Sequence, residues 1–169
     1  GITGKFVVGF HGRLSKEKNI RLLVDSFKQF RKKYPKSSLL ILGDGPERDK
    51  LKGEGIISTG FVSDPEKYLR AMDVYVFLSK TETSALSLME AISSGVPVVT
   101  SDAGLIPTYV NSRTGIVLKK SQLKRELVVR AIDMVYKSPV KSKLKSVGAK
   151  LFTDSRNWED IANDLKRTL

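Results

Sequence analysis

The chain of 169 residues contains no cysteine, one histidine (His11) and one tryptophan. Without cysteine there is no disulfide framework, thiolate nucleophile or Cys-based metal site. A lone histidine rules out a His-based metal site, and a Ser-His-Asp triad would have to be built around His11. No serine stands in a nucleophile elbow, so hydrolase chemistry is set aside. No apolar run approaches the roughly 18 residues needed to cross a bilayer. The start, GITGKFVVG, lacks a Met and the parts of a targeting peptide, so the chain is expected to be a fragment working in a reducing, cytoplasmic compartment.

Acidic residues are also scarce, 18 against 30 lysines and arginines, for a formal net charge of +12. Such an excess attracts phosphates at long range. The stretch 119–169 holds 13 basic and 6 acidic residues, so 13 − 6 = +7 of that charge lies there, much of it in Lys137, Lys141, Lys143, Lys145 and Lys150. This pattern is most often a solvated helix face, although an anionic membrane surface is a second reader. Charge alone does not make a nucleic-acid-binding protein, and that partner is set aside.

What is present is an alternating pattern. Short apolar runs at Phe6–Phe10, Leu39–Leu42, Val74–Leu78, Val96–Val99 and Ile116–Leu118, with a weaker one at Ile56–Thr59, read as strands buried on both faces. Ile20, Leu23, Phe27, Phe30 and Tyr34 repeat at helical spacing, as do Leu127, Val128, Ala131, Ile132 and Val135, and a short helix is expected from about Pro65 to Met72. The βαβα order predicts a single α/β domain over 1–169 with a doubly wound, Rossmann-like parallel sheet of about six strands. Trp158, Ile161, Ala162, Leu165 and Leu169 share one face of a last amphipathic segment.

In such sheets ligands bind beyond the carboxyl ends of the strands, which directs attention to the loops. The first is His11-Gly12-Arg13-Leu14-Ser15-Lys16-Glu17-Lys18, where Gly12 lets the backbone turn. Arg13 and Lys18 there suit a diphosphate, or are solvated loop cations. The spacing is neither a Walker A loop nor GxGxxG. Gly43-Asp44-Gly45-Pro46 reads as a tight turn. Phe61 and Val62 follow the weak strand, and Phe61 is either a core residue or a rest for a planar base. The fourth loop leads into ETSALSLME, with seven residues between Glu82 and Glu90. Glu82 precedes the helix and Glu90 lies within it, while the amides near Ser84–Ser87 begin the helix as free donors. A carboxylate such as Glu90 accepts two hydrogen bonds from vicinal hydroxyls, as in ribose binding. The plainer account makes Glu82 an electrostatic helix cap and pairs Glu90 with a surface lysine. Ser94-Gly95-Val96-Pro97 is a helix stop, and Ser101–Pro107 is expected to form a lip of the same cleft.

Taken together, GRLSKEKN, ILGDGP, GFV, DVYVFLS, ETSALSLME, AISSGVPVVTSDAG and the late NW..IA resemble the retaining glycosyltransferases of family 4, also called group 1, which have two Rossmann-like domains in the GT-B arrangement. The resemblance covers nearly the whole chain but only the C-terminal, nucleotide-sugar-binding half. It implies that Arg13 and Lys18 hold the donor diphosphate and stabilise the leaving group, that Glu90 holds the ribose, and that Glu82 lies by the transferred sugar. Gly12, the Phe61-Val62 region, and the amides near Ser84, Ala85 and Leu86 complete the implied site.

The resemblance also implies transfer of a hexose from a UDP- or GDP-linked donor to a sugar or lipid-linked acceptor, with retained configuration and neither metal nor cofactor. The N-terminal acceptor domain would lie outside this chain, leaving the isolated domain inactive. A basic late segment would let the enzyme sit peripherally on the inner membrane face. Family members usually have glycines after the first Glu, whereas Thr83, Ser84 and Ala85 stand here, and a glutamate is common where Thr108 stands. A sugar-nucleotide epimerase of the same architecture and a non-catalytic nucleotide-binding module are the alternative readings.

Overall fold

The computed structural model describes residues 2, 4–111 and 114–138. The lysine-rich stretch beyond Ser138 and the apolar face of Trp158, Ile161 and Leu165 lie outside the described residues. Six parallel strands form one sheet: β1 (Phe6–His11), β2 (Ser37–Leu42), β3 (Ile56–Gly60), β4 (Val74–Phe77), β5 (Val98–Ser101) and β6 (Gly115–Leu118), in the order β3-β2-β1-β4-β5-β6. The expected doubly wound sheet is therefore observed, with its reversal of strand order between β1 and β4.

The helices are α1 (Ile20–Lys33), α2 (Glu66–Leu69), α3 (Leu86–Ser93), α4 (Ile106–Tyr109) and α5 (Arg125–Lys137). Right-handed crossovers send α1 and α3 to opposite faces, because β1 leads outward to β2 and β4 outward in the other direction to β5. Helix α5 returns to pack on α1, while α2 packs against α3. Covered on both faces, the central strands bury every side chain of Phe6–Phe10, Ser37–Leu42 and Val74–Phe77. That double burial is why they read as unbroken apolar runs rather than alternating ones.

Several boundaries differ from expectation, β2 for instance starting at Ser37 rather than Leu39. Strand β5 starts at Val98, not Val96, because Pro97 has no N–H and only its carbonyl joins the ladder, accepting from Tyr75 N–H at 2.9 Å. Leu78 has already left β4. Helix α2 is one turn long, since Ala71 and Met72 bond back three residues rather than four, onto Tyr68 and Leu69. The stretch after β5 forms the short helix α4.

Candidate functional site at the strand-order reversal

The loops after β1 and β4 meet where the strand order reverses. They are tied together by backbone: Lys80 N–H donates to the Glu17 carbonyl at 2.8 Å. Between β1 and α1 the chain makes a 3-10 turn over Lys16–Lys18, then passes through Asn19 at φ 56. Asparagine is among the few residues that tolerate this left-handed conformation. The turn brings Lys18 back over the sheet, with Nζ 4.9 Å from the centre of the Phe77 ring and hydrogen-bonded to Glu82 Oε2. Both side chains are largely withdrawn from water, 21% exposed for Lys18 and 11% for Glu82.

Close backbone contacts fix this geometry. Gly104, at φ +56, lies so near that a Cβ there would sit 1.9 Å from the Glu82 carbonyl oxygen. The β5–α4 turn thus buttresses the residue holding Lys18, and only glycine fits. Gly12 turns the first loop at φ +143, and its carbonyl would be 2.0 Å from a Cβ on Gly43, so the β1 and β2 loops touch backbone to backbone. Ser79 Oγ donates to the Thr81 carbonyl at 2.7 Å, and Ser101 Oγ to the Ser79 carbonyl at 2.5 Å, which shapes the approach to Glu82. Asp44 is a turn residue, accepting from Gly45 N–H and paired with Arg48 at 2.7 Å.

Glu90 projects from α3 on the other side of the reversal. Its Oε2 is 3.3 Å from His11 Nδ1, and its side chain is 48% exposed. Its neighbour is therefore the histidine, not a surface lysine, and Glu82 pairs with Lys18 rather than capping α3. Glu90 also borders a groove of about 470 Å³ between α2 and α3, lined by Pro65, Leu69, Leu86, Met89 and Ser93 among others.

Beneath both carboxylates lies Tyr75. Its hydroxyl donates to the His11 carbonyl at 2.8 Å and lies 3.1 Å from Ser87 Oγ. Burial pushes this hydroxyl well above the usual tyrosine range, and Glu90 and Glu82 push the same way. Phe10 stacks beside Tyr75 and Phe77 at ring distances of 6.4 and 6.2 Å, giving the site a rigid floor.

Arg13 is exposed and makes no salt bridge among the described residues. At the start of α3 the amides of Ser84, Ala85 and Ser87 have no acceptor among the described residues, whereas Leu86 N–H turns back onto the Ser84 carbonyl at 3.0 Å. Ala85 is buried and Leu86 is 49% exposed on the groove rim. Phe61 is 82% exposed, so it is not a core residue, while Val62 packs against the core.

Sequence reasoning placed Arg13, Lys18, Glu82 and Glu90 near one another but missed Tyr75 and the pairing of His11. A tyrosine inside a strand buried on both faces was the available signal, because its hydroxyl must find a partner.

A doubly wound parallel sheet with its strand order reversing between β1 and β4 defines the Rossmann-like class of α/β domain. The chain belongs to the glycosyl transferases group 1 family, whose model matches residues 5–137. It is 35% identical over 141 residues to the alpha-monoglucosyldiacylglycerol synthase of Acholeplasma laidlawii, covering 77% of this chain and 35% of that protein. To the capsular polysaccharide biosynthesis glycosyltransferase CapM of Staphylococcus aureus it is 30% identical over 133 residues, 73% of this chain and 35% of CapM. The chain thus spans about a third of the length of these relatives.

Among solved structures, HepE of Anabaena in complex with UDP and glucose superposes with a TM-score of 0.83 at 22% identity, over 99% of this chain and 49% of HepE. The C-terminal domain of the group 1 protein LpcC from Francisella tularensis gives 0.75 at 24% identity, over 90% of this chain and 86% of that domain. At such identities the likeness establishes the fold.

Proposed function

We propose that this domain binds the nucleotide-sugar donor of a retaining hexosyltransferase. The observation that carries the reading is the convergence, at the β1/β4 reversal, of the exposed Arg13, the Lys18–Glu82 pair, the groove-side Glu90 and the free amides of Ser84, Ala85 and Ser87. Arg13 offers a planar fork to the diphosphate and Lys18 a point charge. Glu90 accepts from the ribose hydroxyls, and the base meets the region of Phe61 and Val62. Glu82 lies on the sugar side, where it both orients Lys18 and accepts from a sugar hydroxyl.

When the bond between sugar and diphosphate breaks, negative charge grows on the departing phosphate oxygen. Arg13, Lys18 and the helix-start amides would meet that charge from a fixed frame, so that little reorganisation is needed as it develops. These groups are the ones proposed to do the work a divalent cation would otherwise do. The donor is proposed to be UDP- or GDP-linked, as relatives and neighbours include proteins named for UDP complexes and for GDP-mannose dependence.

The acceptor, a sugar or a lipid-linked sugar, would be brought by a further domain outside this chain, without which transfer is poor or absent. Among the described residues no helix is long and apolar enough to cross a membrane. Contact with an anionic inner-leaflet surface is proposed through the basic stretch 119–169, and sedimentation with anionic but not neutral liposomes is the expected result.

Calorimetry with UDP, GDP and ADP and their glucose and mannose conjugates tests the donor site. One base should bind, and Arg13→Ala and Glu90→Ala should each weaken that binding by about 1–3 kcal/mol, the value of a charge-assisted contact. Unchanged affinity in both variants would remove the proposed site.

A further inference from the structure

We propose that His11 is a positioning residue for Glu90, donating from Nδ1 to the carboxylate and making nucleotide-sugar binding tighten as the pH falls. The proposal rests on the reading of Glu90 as the ribose holder. His11 is the chain's only histidine, and its side chain is 20% exposed. Its Nδ1 is sealed from solvent and has no hydrogen-bond partner, yet lies 3.3 Å from Glu90 Oε2.

A neutral imidazole carries one N–H. With that proton on Nε2, the Nδ1 lone pair faces a carboxylate oxygen and the two repel. With a proton on Nδ1, in the neutral tautomer or the imidazolium, a small rotation of the half-exposed Glu90 side chain makes this contact a hydrogen bond, and the charged form makes it the stronger, charge-assisted kind.

The surroundings give this proton a defined effect. The His11 backbone is clamped, because its carbonyl accepts from the Tyr75 hydroxyl at 2.8 Å, so the ring cannot drift from α3. Glu90, by contrast, is a long side chain half open to water. A donor on Oε2 would hold it in one rotamer while leaving Oε1 and the second Oε2 lone pair for two vicinal hydroxyls.

The other titratable and charged groups near His11 are Tyr75 from β4, kept neutral by burial, Arg13 in the same loop, and Glu82, which Lys18 already neutralises. Protonation therefore pairs His11 with the Glu90 carboxylate and adds one positive charge to the loop that carries Arg13, where the donor's diphosphate is read to lie. Histidine is the side chain that changes charge between about pH 5 and 8.

The test is calorimetric titration of UDP-glucose and GDP-mannose into the chain at about pH 8 and about pH 5.5. Sugar nucleotides are used because their diphosphate is a diester without the terminal-phosphate ionisation near pH 6 that a free nucleoside diphosphate carries. The sugar nucleotide that binds should do so about 5- to 10-fold more tightly at the lower pH, as a charge-assisted contact is gained. His11→Phe and His11→Asn should both flatten the response to about two-fold or less, with Asn, which keeps a neutral amide donor near the Nδ1 position, binding better than Phe at pH 8.

Unfolding curves establish that each variant is folded, and Asn carries the test if Phe does not fold. A wild-type response that is absent, or that persists in both variants while the sugar nucleotide still binds, overturns the role of His11 and leaves the donor site standing. No binding of either sugar nucleotide at either pH removes the donor site, and this proposal with it.

Discussion

The two ends of the sheet are finished differently. At the amino ends of the strands, the charged groups are paired. Asp133 of α5 accepts from the Tyr34 hydroxyl at 2.5 Å and pairs with Lys137 at 2.7 Å and Lys33 at 3.3 Å. Arg31 is shared among the carbonyls of Pro35 and Ser37 and the Glu54 carboxylate. Around them Phe6, Phe30, Tyr34 and Tyr136 form one aromatic cluster, with ring distances down to 4.1 Å.

At the carboxyl ends, Arg13 is exposed without an ion pair among the described residues, three amides at the start of α3 lack acceptors, and the His11 Nδ1 is orphaned. Unmet hydrogen-bonding capacity is costly when buried. Ser26 and Ser38 Oγ also lack partners among the described residues, but the unpaired cation, the amides and the histidine nitrogen gather at the carboxyl ends, where the proposed donor would meet them. One end holds the fold, and the other is where the proposed donor would bind.

The largest expected effect tests that division from the paired end. Phe6 is 5% exposed and touches Phe30 and Tyr136. Phe6→Ala should cost about 3–5 kcal/mol in denaturant unfolding, through lost burial and the cavity left behind. The folded fraction should nevertheless bind nucleotide sugar with unchanged affinity. A proportionate loss of affinity would show that the two ends are not independent.

Next in size is a contrast within the site. Arg13→Ala and Lys18→Ala should weaken donor binding alike, by about 1–3 kcal/mol. Their stabilities should differ. Removing Lys18 strands Glu82, which is 11% exposed, without its cation, an effect of about 1–2 kcal/mol once its residual solvation is allowed for. Arg13→Ala should stay within about 0.5 kcal/mol of wild type. Equal stabilities would mean that the Lys18–Glu82 pair is not preformed.

How much of this was legible in the sequence follows from the range over which each signal acts. The strands were readable because burial on both faces writes an unbroken apolar run, and the loops because glycine and proline punctuate them locally. Arg13, Lys18, Glu82 and Glu90 stood out as charges in loops following strands. Their partners did not. The Lys18–Glu82 contact joins residues 64 apart, and nothing in either segment specifies the other.

His11 was visible only as a histidine too solitary for a metal site, since its meeting with Glu90 depends on β1 and α3 sharing the reversal point. The Phe61 side chain had two readings, with a core residue the commoner one. Its exposure was decided by where β3 ends at the sheet edge, a tertiary fact. The start of β5 was misplaced by the apolar character of Val96, which pattern reading weighs and the missing N–H of Pro97 overrules.

The smallest effect, and the most selective, concerns the acid behaviour of the paired end. Hydrogen bonds from Lys137, then Tyr34 and Lys33, hold the Asp133 carboxyl down to about 2. Its folded value lies below the unfolded one of about 3.9, so its contribution is fully present above that value and is lost as the pH falls from there through about 2. Taken at face value the shift is worth somewhat over about 2 kcal/mol, but both lysines are more than half exposed, which cuts the contribution to about 1 kcal/mol.

Asp133→Asn should therefore lower unfolding stability by about 1 kcal/mol at neutral pH and converge with wild type only as the pH drops below about 2, where the folded carboxyl is itself protonated. Donor affinity should not follow, because Asp133 lies at the end remote from the reversal point. A constant stability difference across the whole range would mean that Asp133 works through packing between α1 and α5 rather than through its charge.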